Sequence, residues 1–181
     1  MAPIKAFPKF RYHPDPVATG MVVSSNAACI CCGRSRGYVY VGSVYSVRRD
    51  LRDRICPWCI ADGAAAAKLE ASFASGDVPF YAEVTSDVCA EVTLRTPGYI
   101  SWQGTSWLSH CKDACEYHGD ASVKDVANVT ADTRRDFLAT YHLDEKTWRS
   151  MTDGYQPGGD LAIYKFVCRH CGLVRFAYDC S

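Results

Sequence analysis

The chain has 181 residues, 48% of them apolar, 12% aromatic and 22% charged, with 20 Lys plus Arg against 20 Asp plus Glu and a formal net charge of zero. That composition supplies enough apolar mass for a core and excludes intrinsic disorder. The charge balance argues against a general nucleic-acid coat, which carries a large basic excess, and no apolar run reaches the ~18 residues of a membrane span.

The start, Met1-Ala2-Pro3-Ile4-Lys5-Ala6-Phe7-Pro8, has no uninterrupted apolar stretch, so no secretory signal is expected and the cytoplasm is the expected compartment. Residues 1–28 read as extended, because Pro3, Pro8, Pro14 and Pro16 forbid a long helix. Phe7, Phe10 and Tyr12 are expected to pack onto the body, with His13 fixed in a turn between prolines. Residues 37–47, rich in Tyr and Val, predict one or two strands. The Asp62–Phe73 segment predicts a helix around the Ala64–Ala67 run, capped by Asp62 and ended by Gly76-Asp77. A second helix is expected over Ser86–Leu94, with Val84, Val88 and Val92 on one face and Thr96-Pro97-Gly98 as its stop. Further helices are expected over Ser106–Tyr117, Thr130–Tyr141 and Asp144–Met151, the last with Trp148 inward. Leu161–Val167 and Leu173–Tyr178 read as paired strands around a turn. The expected class is thus α+β, with short antiparallel strands and about five helices. A weak boundary near residues 76–80 suggests lobes 1–78 and 79–181, or one compact unit.

Eleven cysteines are the unusual feature. In a reducing compartment such a chain suggests metal binding or thiol chemistry rather than disulfides. Cys29-Ile30-Cys31-Cys32-Gly33 and Cys56-Pro57-Trp58-Cys59 each hold a C-x2-C pair, with 23 residues between Cys32 and Cys56. Two such turns complete a tetrahedron of thiolates around zinc, and Gly33 suits the positive φ that often follows a knuckle. Cys111-Lys112-Asp113-Ala114-Cys115 and Cys168-Arg169-His170-Cys171-Gly172 form a second set, 52 residues apart. On a helix Cys111 and Cys115 would share one face. The expected ligands of two structural zinc ions are therefore Cys29, Cys32, Cys56 and Cys59, and Cys111, Cys115, Cys168 and Cys171. His110, His118 and His170 are substitute candidates at the second site. Cys31, Cys89 and Cys180 are left over as small apolar or free thiol residues. Eight thiolates around two Zn2+ would bring the chain to about −4.

Residues 10–16 (Phe10-Arg11-Tyr12-His13-Pro14-Asp15-Pro16), Cys29–Gly33, Cys56–Gly63, Arg95–Tyr99, Trp102-Gln103, Trp107–Cys111 and Phe166–Gly172 follow one another in an order that resembles the CbrC family of bacterial proteins. The resemblance covers nearly the whole chain and is thinnest over 119–155. It implies an association with tolerance to DNase-type colicins, and related chains look like the immunity proteins encoded beside toxins. No P-loop, H-E-x-x-H or deaminase H-x-E motif is present. The expectation is a non-enzymatic zinc-binding immunity protein in the cytoplasm, with a cognate antibacterial toxin as partner and no membrane contact. One alternative is a zinc-ribbon nucleic-acid binder using Arg34, Arg36, Arg48, Arg49, Arg52 and Arg54, although Asp50 and Asp53 interrupt that run. Another is thiol redox chemistry at Cys56 and Cys59, which would need a thioredoxin-like strand before the motif. A third is an enzyme with an open metal position.

Overall fold

The computed structural model describes residues 6–75 and 78–180. Its elements, in chain order, are β1 (Val22–Ser24), β2 (Tyr38–Tyr40), α1 (Pro57–Ala61), α2 (Ala64–Leu69), α3 (Val78–Glu83), α4 (Ser86–Arg95), β3 (Ser109–His110), β4 (Asp113–Ala114), β5 (Glu116–Asp120), α5 (Val123–Ala127), α6 (Ala131–Tyr141), α7 (Glu145–Thr152), β6 (Leu161–Val167) and β7 (Val174–Cys180). The result is a mixed α+β fold with short antiparallel strands. Among the described residues, no helix is long and apolar enough to cross a membrane.

The three-stranded sheet β5-β6-β7 is the central layer, antiparallel throughout, with Tyr164 opposite Ala177 and Phe166 opposite Arg175. Both of its faces are covered, which is why β6 reads as a nearly continuous apolar run rather than an alternation. Tyr164, Phe166 and Ala177 point into one large cluster, which also takes in Tyr12, Tyr40, Trp58, Phe73, Tyr99 and Trp107. Ile163 and Phe176 point the other way, onto Val126, Phe137, Trp148 and Tyr155. That second cluster is roofed by α5, α6 and α7, each with a polar N-cap. Ser122 forms a capping box with Asp125, Thr130 accepts from the Thr133 amide, and Asp144 accepts from the Thr147 amide.

The first cluster draws on residues from Phe10 to Ala177, so the expected lobes 1–78 and 79–181 share one core. Gly76 and Asp77, the expected stop of the 62–73 helix and the first residues of the expected 76–80 boundary, lie outside the described residues, as does the start, Met1–Lys5. The helices over 86–95, 131–141 and 145–152 form close to where capping and periodicity put them. Three differences stand out. The alanine helix α2 ends at Leu69, because Glu70 turns left-handed (φ 50°) and Ser72 pairs with Tyr45 instead. Of the strand region 37–47 only Tyr38–Tyr40 is regular, paired with Val22–Ser24. The segment 106–117 is not a helix: β3 and β4 form a hairpin that leads into β5, and burial alternates from Thr105 to His110 with period two. With α1, α3 and α5 added and that helix removed, the helices among the described residues number seven rather than about five.

One close approach holds the middle of the chain together. A Cβ on Gly98 would sit 1.8 Å from the Phe73 carbonyl oxygen, so the segment after α4 lies directly against the backbone that follows α2.

Candidate metal centres

The first centre is assembled from two turns. Cys29 and Cys32 sit on a knuckle in which the Gly33 amide donates to the Cys29 carbonyl (2.7 Å) and the Cys29 amide to the Arg34 carbonyl (3.0 Å). Gly33 takes φ 68°, a conformation that costs other residues more than glycine. Cys56 is the N-cap of α1, Pro57 occupies the first helical turn, and Cys59 follows one turn later. The two pieces are joined where the Ile30 amide donates to the Arg54 carbonyl at 2.8 Å.

This brings the four Sγ atoms within 4.8 Å of one another. The Cys29–Cys59 and Cys32–Cys56 pairs are each 3.9 Å apart. A tetrahedral metal with ~2.3 Å bonds to sulfur requires edges of about 3.8 Å, so the donors fit a zinc-sized ion. A disulfide requires sulfurs about 2 Å apart, and all eleven cysteines are free. Cys56 and Cys59 are 1% and 2% exposed, so the pair is closed to solvent, and the segment before it is a turn followed by a single bridge from Ile55 to Tyr40 rather than a strand.

The electrostatics of Cys29, Cys56 and Cys59 favour a dication. Hydrogen bonding from Cys56, against the cost of burial and with help from backbone amides, pulls the Cys29 thiol down to about 4. The Cys56 amide itself lies 3.2 Å from the Cys29 sulfur. The thiol of Cys56 is pushed up by its bond to Cys29 and by burial, and that of Cys59 by burial and the Cys29 charge. Alone, the cluster holds one negative charge comfortably and resists the next; a bound dication removes that penalty.

The second centre repeats the knuckle. Between β6 and β7 the Gly172 amide donates to the Cys168 carbonyl and the Cys168 amide to the Leu173 carbonyl, each at 2.9 Å, with Gly172 at φ 73°. The facing donors come from the β3–β4 hairpin, whose two-residue turn is Cys111-Lys112 at φ 53° and 61°. Such a turn prefers Asn-Gly; with two ordinary side chains it stores strain of order 1 kcal/mol per residue. What it achieves is to aim the Cys111 sulfur and the preceding His110 ring at the knuckle. The group that converges is His110, Cys111, Cys168 and Cys171. His110 Nδ1 lies 3.2 Å from the Cys111 sulfur and 3.4 Å from that of Cys171, and the two sulfurs are 4.0 Å apart. These are close to the edges of about 3.6 Å (N to S) and 3.8 Å (S to S) of a mixed tetrahedron.

Cys115 is not in that group. Because the chain reverses at Cys111-Lys112, the four-residue spacing does not put Cys111 and Cys115 on one face. Cys115 is fully buried, its amide donating to the Leu108 carbonyl and its carbonyl accepting from Trp107 Nε1. Burial, with the nearby Cys168, pushes its thiol up to about 12. His110 takes its place, and His118 faces Glu116 instead. The Cys168 thiol, which burial alone would raise, is brought down to about 6 by the Cys171 and His170 amides. Around the site, Asp113 accepts from Tyr12 Oη (2.7 Å) and Arg169 (3.2 Å) and lies 2.9 Å from His170 Nε2, fixing the knuckle loop against the hairpin. The two centres differ in depth: the first is largely buried, whereas Cys111 and Cys171 are exposed. Of the leftover thiols, Cys31 and Cys89 are half-buried and Cys180 is exposed.

Fold and clusters together define a mixed α+β protein with two four-donor centres able to hold metal ions. The chain belongs to the family described as "Uncharacterised protein family (UPF0167)", whose profile matches residues 7–180. It is 47% identical over 173 residues to UPF0167 protein PA1536 of Pseudomonas aeruginosa, covering 95% of this chain and 96% of that one. It is 38% identical over 173 residues to UPF0167 protein Mb2317 of Mycobacterium bovis and to UPF0167 protein MT2352 of Mycobacterium tuberculosis, covering 94% of this chain and 91% of each. No solved structure matches the chain.

Proposed function

We propose that the protein is a non-enzymatic, two-zinc scaffold that acts by binding, and that its partner is an antibacterial toxin which it neutralises in the cytoplasm. The observation that carries the scaffold is the convergence of seven thiols and one imidazole into two sets with tetrahedral spacing. Cys29, Cys32, Cys56 and Cys59 hold one ion; His110, Cys111, Cys168 and Cys171 hold the other. With four protein donors each, neither ion keeps a position for a substrate, which supports a structural rather than a catalytic role. Bound zinc would supply folding free energy by tying segments distant in sequence to one another.

The toxin half rests on the likeness to the colicin-tolerance CbrC family through Phe10–Pro16, the two knuckles and Trp107–Cys111. Charge is compatible with it. Four thiolates leave one site at −2, and three thiolates with a neutral imidazole leave the other at −1, so the loaded chain carries about −3. Nucleic-acid binding has less support: around the first centre Arg48 and Arg54 pair with Asp50, and Arg52 with Asp53.

The test is survival of a colicin-sensitive bacterium expressing the chain and challenged with a DNase colicin. The expected result is protection by the zinc-loaded protein and none by Cys56→Ser. A folded, zinc-loaded protein that confers no protection and captures no DNase domain would end the toxin reading and leave the scaffold standing.

A further inference from the structure

The two centres differ in what can reach their sulfurs from solvent. At the first, Cys29, Cys56 and Cys59 are buried and Cys32 is half-buried. At the second, Cys168 is buried and His110 half-buried, but Cys111 and Cys171 are both exposed. Sulfur spacing does not separate the centres. The Cys29–Cys59 and Cys32–Cys56 pairs stand 3.9 Å apart and the Cys111–Cys171 pair 4.0 Å. Reactivity of a thiolate toward an oxidant in solution follows its exposure, so the second centre presents two reactive sulfurs side by side and the first does not.

The backbone around the exposed pair can also move. Cys111 and Lys112 form the tip of the β3–β4 hairpin, both exposed and both at positive φ, 53° and 61°. Below the tip the hairpin is anchored, because Ser109 and Ala114 are paired and buried. Cys171 lies in the knuckle loop between β6 and β7, with Arg169, His170 and Gly172 exposed around it. A disulfide brings sulfurs to about 2 Å, so the 4.0 Å gap must close by about 2 Å, shared between two exposed loop tips. Movement of the hairpin tip also relieves its left-handed strain. Closure at the first centre would instead displace Cys56 or Cys59, which are buried at the start of α1, and would disturb the Cys56 amide that lies 3.2 Å from the Cys29 sulfur.

We propose that the second centre is a redox-sensitive metal site, at which hydrogen peroxide joins Cys111 to Cys171 and releases the ion while the first centre keeps its own; this rests on the two-zinc reading above. One of the two thiolates attacks a peroxide oxygen. The S–O bond forms, the O–O bond breaks and hydroxide leaves, giving a sulfenic acid. The other thiolate attacks that sulfur, forming the S–S bond and expelling a second hydroxide. Two protons turn the hydroxides into water. The two sulfurs lose two electrons in all, and the peroxide gains them. His110 and Cys168 then remain, two donors where a tetrahedral ion needs four, so zinc leaves. A dithiol reductant reverses the step by exchange, its own sulfurs becoming the disulfide. The anchored base of the hairpin and the first centre hold the rest of the fold.

The test starts from the full chain with its zinc content measured, treats it with about 1 mM hydrogen peroxide, and follows released zinc with a chromogenic chelator. The disulfide is then mapped by mass spectrometry of peptides. The expected result is one ion released per chain, at least about tenfold faster than the other, together with a Cys111–Cys171 disulfide. Dithiothreitol with added zinc should restore the second ion. Cys180→Ser removes another exposed thiol and should leave both the release and the disulfide unchanged. Retention of both ions, loss of both at equal rates, a disulfide joining another pair, or release that depends on Cys180 would each overturn the proposal. A reduced chain that never carries two ions would fail earlier, at loading, and would overturn the two-zinc reading and this step with it; a two-zinc chain that ignores peroxide would overturn this step alone.

Discussion

Protonation of His13 should destabilise the fold between neutral and mildly acidic pH. The imidazole is fully buried, with Nδ1 2.8 Å from the Pro97 carbonyl and Nε2 2.6 Å from Thr19 Oγ1. The ring also meets the edge of Tyr117 at 4.9 Å. Burial pulls its pKa from 6.5 down to about 4; the Pro97 carbonyl and Asp15 oppose this, and His118 adds to it. A base whose pKa is depressed on folding is neutral in the native state and protonated more readily when unfolded. Its contribution is therefore fully present above 6.5 and is lost as pH falls toward 4. The whole span corresponds to about 3.4 kcal/mol, of which about 2 kcal/mol is lost between pH 7 and pH 5. The assay is urea unfolding at pH 7, 6 and 5 for the native chain and for His13→Gln, followed by fluorescence. Subtracting the two profiles removes the contribution of thiolate protonation at the metal centres, which both proteins share. Parallel profiles, with no convergence as the pH falls, would refute the assignment of His13 as a buried neutral base.

The ligand assignment at the second centre separates two substitutions: His110→Ala should lose one zinc per chain by elemental analysis, whereas Cys115→Ala should keep both and cost about 1 kcal/mol of packing. The depth of the centres predicts an asymmetry, with Cys59→Ser unfolding the region around α1 and Cys111→Ser lowering Tm much less, as read by calorimetry with metal content measured alongside. Gly98→Ala should cost about 3 kcal/mol, because the new methyl meets the Phe73 carbonyl; a Tm within error of the native value would show that the backbone yields there. Asp125, held down to about 2 by Lys165 and Ser122 against the cost of burial, should contribute stability above about pH 4 and lose it toward pH 2; Asp125→Asn should cost about 1 kcal/mol at pH 7 and flatten that acid limb.

Most regular elements and the whole of one candidate metal centre were legible in the residues. The C-x2-C-Gly knuckles could be read because the turn needs those residue types in a fixed local spacing, and both adopt the same hydrogen bonds, Cys29 to Arg34 and Cys168 to Leu173. Helices with polar caps, such as those opened by Thr130 and Asp144, were legible for the same local reason. The β3–β4 hairpin was not. Cys111-Lys112 carries no glycine or asparagine, so nothing local announced a reversal, and the Cys111–Cys115 spacing imitated a helix face. The consequence is that Cys115 was expected at the second cluster, where the structure gathers His110 instead. Ser122-x-x-Asp125 forms the capping box of α5, a helix whose five residues are too few to show a helical period. The early end of α2 depends on the pairing of Ser72 with Tyr45, a tertiary contact that intrinsic propensity cannot report.

The two-zinc scaffold is tested most directly by native mass spectrometry of the gently purified chain, with elemental analysis of the same sample. The account predicts a mass increment of two zinc ions per chain, released together with tertiary structure by a strong chelator. A chain that stays folded with no metal, or with its knuckle cysteines joined in disulfides, would contradict it.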